Sequence, residues 1–131
     1  HTLGHGFIPE PIHAGGLRYH GMAPLVSHVY ELGLVEAIAV PQLECFAGAV
    51  KFARTEGIVP APEPTHAIAA AVREALACKE SGEEKTILTA LCGHGHLDLA
   101  SYDRYMRGEM QDLELSDDLI KAAMLDVPEI A

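Results

Sequence analysis

The chain alternates segments of helically spaced apolar residues with short, wholly apolar runs, and this alternation predicts its elements. From Pro24 onward, Leu25, Val26, Val29, Tyr30 and Leu32 form an apolar helical stripe that stops at Gly33, a natural position just past a helix end. Residues 36–40, EAIAV, are a short apolar run halted by Pro41, which reads as a buried strand. Leu43, Phe46, Ala47, Val50, Phe52 and Ala53 then recur with helical spacing up to Gly57. A proline-rich connector over 60–64 precedes Thr65, the expected N-cap of an alanine-rich helix that runs to about Lys79 and is closed by Ser81 and Gly82. Residues 86–91, TILTAL, are bounded by turn signals on both sides and predict a strand central in its sheet. Residues 97–110 read as helical, and 116–125 as a short helix with Ser116 as N-cap and Asp117 and Asp118 at the positive end of its dipole. The tail from Asp126 is expected to be loosely held. Strands alternating with helices place the chain in the α/β class, as a partial parallel sheet with flanking helices. Two strands are too few to close such a sheet, so further strands are expected from elsewhere.

Residues 1–24 depart from this alternation. Glycines, prolines and the histidines His1, His5, His13 and His20 crowd a segment too rich in turn formers for a regular element, and its low charge predicts an ordered functional loop. The organisation expected is therefore a loop over 1–24, an α/β portion over 25–110, and a C-terminal helix and tail over 111–131. The first residue is His1, inside this glycine-rich stretch, which suggests a piece of something longer.

Composition narrows the function classes. A hydrophobic content of 49% supports a buried core in one domain of this size. Acidic residues outnumber basic ones 19 to 9, for a net charge of −10, so the electrostatic footprint of a phosphate-backbone binder is missing and nucleic acid is not an expected partner. No apolar stretch reaches the roughly 18 residues that a membrane span requires, so no membrane is expected. Cys45, Cys78 and Cys92 are odd in number and lack a CxxC spacing, which points to a reducing cytoplasm rather than a disulfide framework.

The densest chemistry lies in LCGHGHLD, residues 91–98, directly after the second expected strand. Strand followed by glycine-rich turn is how α/β proteins present ligand-binding groups. Three readings compete. A metal site draws on His94, His96 and Asp98, with His1, His5, His13 and His20 upstream, yet neither HExxH nor paired cysteines occur, and histidines donating loop hydrogen bonds account for the pattern better. A nucleophilic Cys92 beside His94 competes with a half-buried cysteine acting as a small hydrophobe. The third reading is a turn that cradles a cofactor. Elsewhere, Glu56 sits between Thr55 and Gly57 at a helix end, where a carboxylate is electrostatically disfavoured and needs a reason.

The runs IHAGGLRYHGMAP (12–24), ARTEGIVPAPEPTHA (53–67) and LCGHGHLDL (91–99), in this order, resemble the C-terminal part of tryptophan synthase β chains. The likeness is greater to their second, divergent β-like branch, and it spans about residues 7–105. This resemblance implies a pyridoxal 5′-phosphate enzyme of fold type II. It implies that Glu56, in the matching EGI motif, lies near cofactor ring and substrate. It places Cys92, Gly93, His94 and Gly95 on the family's SGRG turn, with Cys92 in place of the serine that meets the pyridine nitrogen. A neutral hydroxyl or thiol there does not stabilise a pyridinium as an aspartate would, which favours elimination and replacement at Cβ over reactions needing a long-lived carbanion. The family's SAGLDYPGVGP loop matches 14–24, and implies a monovalent-cation site built from the backbone carbonyls of Tyr19 and Gly21. Its aspartate is replaced by Arg18, whose rigid fork suits a carboxylate or phosphate and is expected at the substrate or in closure.

The covalently binding lysine and the glycine-rich phosphate cup of that family have no match here; no GGGSN-like run occurs, and Lys51, Lys79, Lys85 and Lys121 lie on expected helices or in a charged turn. The resemblance therefore implies the C-terminal share of a lyase that converts L-serine and indole to L-tryptophan by β-replacement. That piece is expected to be inert alone, to be completed by the N-terminal remainder of the same enzyme, and to work as a homodimer. The rival expectations are a stand-alone non-catalytic binding or assembly module of the same fold, and a histidine-rich metalloenzyme.

Overall fold

The computed structural model describes residues 1–128. Its elements are helices α1 (Pro24–Glu31), α2 (Gln42–Glu56), α3 (Pro62–Ser81), α4 (Leu99–Met106) and α5 (Asp117–Met124), with single 3-10 turns at Gly15–Leu17 and Gly95–Leu97. The chain divides into two compact units.

The first unit comprises His1–Ile12, Gly16–Ala39 and the chain from Leu113. Its N-terminal segment pairs antiparallel with the end of the glycine-rich loop: Leu3 N–H donates to the His20 carbonyl at 2.7 Å and Met22 N–H to the His1 carbonyl at 2.9 Å. Helix α1 starts on Pro24, where a missing amide costs nothing, and its last turn is followed by Gly33 in the left-handed region. Helix α5 begins as expected, with Ser116 Oγ accepting from Leu119 N–H at 3.3 Å and Asp117 and Asp118 in the first turn. Of the tail expected over 126–131, residues 129–131 lie outside the described residues.

The second unit comprises His13–Gly15 and Val40–Asp112. Helices α2 and α3 pack along each other, burying Cys45 and Ala49 on one side and Thr65, Ile68 and Ala69 on the other. Phe46 is the centre of the core, with the Tyr102 ring edge-on at 5.1 Å and the Tyr105 ring stacked at 5.7 Å. Met110 and Ala49 complete the cluster, and Leu43, Val50 and Val59 pack around it. Full burial of a side chain the size of Phe46 stabilises by about 1.5–3 kcal/mol.

Three expectations require correction. Residues 36–40 and 86–91 form no strands among the described residues; pairing is limited to two isolated bridges, Thr2 with Gly21 and Pro60 with His94. A strand exists only through a neighbour that takes up its amides and carbonyls, and neither run meets one, which leaves Leu88 96% exposed. Thr65 is not an N-cap: α3 starts a turn earlier, at Pro62, because both Pro62 and Pro64 fall in the first turn, where helix amides have no intrahelical acceptor. Thr65 lies fully buried inside the helix instead, its hydroxyl donating to the Pro62 carbonyl at 2.5 Å. Finally, the helix expected over 97–110 is confined to α4, since Gly95–Leu97 forms a tighter turn and Gly108, at a φ of 70°, has left the helix.

Candidate functional site

Glu56 is the last residue of α2, and Gly57 ends the helix in the left-handed conformation at φ 73°, donating its amide to the Ala53 carbonyl at 3.1 Å. The chain thus turns sharply after the carboxylate and runs through Ile58 into Val59, Pro60 and Ala61. There it meets the glycine-rich turn. Gly95 N–H donates to the Val59 carbonyl at 2.7 Å and Ala61 N–H donates to the Gly93 carbonyl at 3.1 Å. The segment that follows the EGI motif and the CGHG motif, far apart in sequence, are therefore stitched together by a two-bond antiparallel bridge.

The joint demands a glycine at 95. A Cβ there would lie 2.5 Å from the Pro60 carbonyl oxygen, 3.0 Å from Val59 Cγ1 and 3.1 Å from the Tyr102 ring, so the two segments could not close around a side chain. Tyr102, buried on α4, clamps the joint from below: its hydroxyl donates to the Pro60 carbonyl at 2.5 Å, and burial pushes the phenol up to about 12, keeping it a donor at any ordinary pH. Neither Tyr102 nor Pro60 was singled out by the sequence reading. The available signal was Tyr102 three residues after Leu99 at the start of a helix, but spacing alone does not distinguish a hydroxyl with an acceptor from a core ring.

Around this joint, Glu56, Cys92, Gly93 and His94 are all exposed, while Gly95 is buried. His94 Nδ1 accepts from His96 N–H at 3.4 Å, which opens the 3-10 turn, and the two imidazole rings stand 4.7 Å apart. Among the described residues, no three His, Cys, Asp or Glu side chains are grouped so as to hold a metal ion, and the His94 ring accepts a backbone amide of the turn. An exposed thiol on the glycine turn, and a carboxylate at the end of α2 just before the bridged segment, are groups that would suit one side of a pyridoxal phosphate site. Among the described residues, Lys51 and Lys79 ride on α2 and α3, Lys85 pairs with Glu83 at 3.0 Å and Lys121 with Asp118 at 3.7 Å.

The remaining expected site residues belong to the first unit. Arg18 is exposed, with its guanidinium donating to the Pro9 carbonyl at 3.0 Å. Tyr19 is 70% exposed, and Gly21 sits against Thr2 in the antiparallel bridge that closes the loop. The structure thus joins the segment three residues beyond Glu56 to the 93–95 turn, and keeps Arg18, Tyr19 and Gly21 in one loop. No helix is long and apolar enough to cross a membrane among the described residues.

No protein-family model matches the chain. Individual proteins do. It is 64% identical over 112 residues to tryptophan synthase beta chain 2 of Aquifex aeolicus, covering 86% of this chain and 26% of that protein. It is 60% identical over 110 residues to tryptophan synthase beta chain 2 of Methanosarcina acetivorans, covering 84% of this chain and 25% of that one. It is 53% identical over 114 residues to the tryptophan synthase beta chain of Thermococcus onnurineus, covering 87% of this chain and 26% of that one. The chain spans about a quarter of the length of the curated relatives it matches. Over that stretch, the chain belongs to the tryptophan synthase beta chain family.

Proposed function

We propose that this chain is the C-terminal share of a pyridoxal 5′-phosphate-dependent lyase of fold type II that joins L-serine and indole into L-tryptophan by β-replacement. The observation that carries the reading is the joint between Val59–Ala61 and Gly93–Gly95, which couples the loop of Glu56 to the turn of Cys92. Pyridoxal phosphate, when bound, supplies the electron sink that lets a proton leave Cα and a substituent leave Cβ. With the cofactor bound, Cys92 would offer it a neutral thiol that does not stabilise a positive charge on the ring, Gly93, His94 and Gly95 would form part of the wall of its pocket, and Glu56 would supply a carboxylate near cofactor and substrate. Arg18 offers its fork to the substrate carboxylate or closes the loop over it. The carbonyls of Tyr19 and Gly21 hold a monovalent cation.

The lysine and the phosphate cup come from the N-terminal remainder of the enzyme, so the 131-residue piece by itself is inert. That remainder also supplies the neighbours that turn residues 36–40 and 86–91 into strands of a partial parallel sheet, and the whole enzyme acts in the cytoplasm as a homodimer. The test is the full-length gene product. A protein with the visible absorbance of bound pyridoxal phosphate, consuming L-serine and indole together, supports the reading. A colourless 14.0 kDa product that melts cooperatively overturns it in favour of a stand-alone assembly module.

A further inference from the structure

Tyr102 touches both halves of the joint. Its hydroxyl donates to Pro60, on the loop that follows Glu56, while its ring comes within 3.1 Å of where a Gly95 Cβ would stand, on the turn that follows Cys92. The ring is itself pinned edge-on against Phe46 of α2, the helix that ends in Glu56. One side chain therefore reaches the helix, the loop and the turn that carry the two expected reactive groups. The Pro60 carbonyl is central to this arrangement, because its neighbours Val59 and Ala61 make the two bridge bonds and Pro60 has no amide of its own to add a third.

We propose that Tyr102 is a positioning residue that holds the Glu56 loop in register with the Cys92 turn, a role that rests on the lyase reading above. Without its hydroxyl the Pro60 carbonyl is buried with no phenol to serve it, and the bridge opens more often. The end of α2 that carries Glu56 and the turn that carries Cys92 then lose their fixed relation. Ring packing survives in the Tyr102→Phe variant, so the fold is retained while the register is loosened.

The experiment uses the full-length protein loaded with pyridoxal phosphate. In Tyr102→Phe, the amides of Ala61 and Gly95 are expected to exchange with solvent about tenfold faster, while those in the middle of α3 are unchanged. The visible band of the bound cofactor shifts, and kcat falls about tenfold with KM for L-serine within about twofold, as expected when alignment and not binding is lost. Replacing Tyr102 by 4-aminophenylalanine, which restores an N–H donor on a ring of the same shape, recovers both band and kcat, and it serves as the test variant if the phenylalanine variant does not fold. Unchanged exchange at Ala61 and Gly95 overturns the proposal. So does faster exchange with an unaltered band and kcat, which would leave Tyr102 a purely structural residue. A wild-type protein without the cofactor band sinks the lyase reading before any variant is made, and exchange at the two amides then decides by itself whether Tyr102 locks the joint.

Discussion

Gly95 N–H reaches the Val59 carbonyl at 2.7 Å because nothing but hydrogen occupies the space on the other side of Gly95, where a Cβ would stand 2.5 Å from the Pro60 oxygen. The obstacle is backbone, which cannot rotate away as a flexible side chain would. Gly95→Ala is therefore expected to lower the stability of this unit by about 1–3 kcal/mol, the usual range for overpacking. Denaturant midpoints of wild type and variant measure this directly. A variant as stable as wild type would show that the two segments do not close as described.

Gly48, on α2, gives the opposite sign. A Cβ there would meet Ala69 and Ile68 at 3.7 Å, an ordinary van der Waals distance, and the helix interior is where glycine is least favourable. Gly48→Ala should raise stability by about 0.5–1 kcal/mol through the reduced freedom of the unfolded chain. Thermal melts of the pair of glycine variants test both signs at once.

His13 supplies a pH dependence. Its Nδ1 is hydrogen-bonded with Ser101 Oγ at 3.1 Å and its ring meets Phe46 edge-on, and burial first, then the nearby Arg104 charge, lower its pKa from the ordinary 6.5. The folded form thus binds fewer protons than the unfolded one. The contribution is fully present above pH 6.5 and is lost as pH falls through the lower folded value. The denaturation midpoint should decline as pH falls below 6.5, and His13→Gln should flatten that slope. Parallel slopes for the two proteins would remove His13 as the cause.

The cysteines should differ sharply in reactivity. Cys45 is fully buried, and burial pushes its thiol up to about 11, whereas Cys92 is exposed. At pH 8 a thiol of that pKa is ionised in about one molecule in a thousand, and alkylation proceeds through the thiolate. Iodoacetamide labelling followed by peptide mass mapping should find Cys92 modified first and Cys45 only after unfolding. In the full-length protein, pyridoxal phosphate should protect Cys92 and leave the Cys45 pattern unchanged. Equal labelling of Cys92 with and without cofactor would count against its place at the ring.

The helices were legible because their signals are local. Gly33, Gly57 and Gly82 stop α1, α2 and α3 where the apolar spacing ends, and all three adopt the left-handed conformation that glycine tolerates. Ser116 capped α5 through its own turn. Thr65 misled because a hydroxyl near a helix start signals a cap equally well from one turn inside, and only the position of Pro62 in the assembled helix shows which it is. The two apolar runs stay unpaired among the described residues for a deeper reason: hydrophobicity can be read along the chain, but a strand is a property of two segments, and its hydrogen-bonding partner does not appear in its own sequence.

The same distinction runs through the candidate site. By itself the sequence determined which groups were present, the carboxylate of Glu56, the thiol of Cys92 and the glycines around His94, since motif order and residue type carry that information directly. Only the tertiary structure decided that the Glu56 loop and the Cys92 turn meet through Val59, Ala61, Gly93 and Gly95, and that Tyr102 clamps them. The physical reason is that this encounter depends on backbone groups that every residue shares and on one hydroxyl whose acceptor lies on another loop, so no local pattern could announce it.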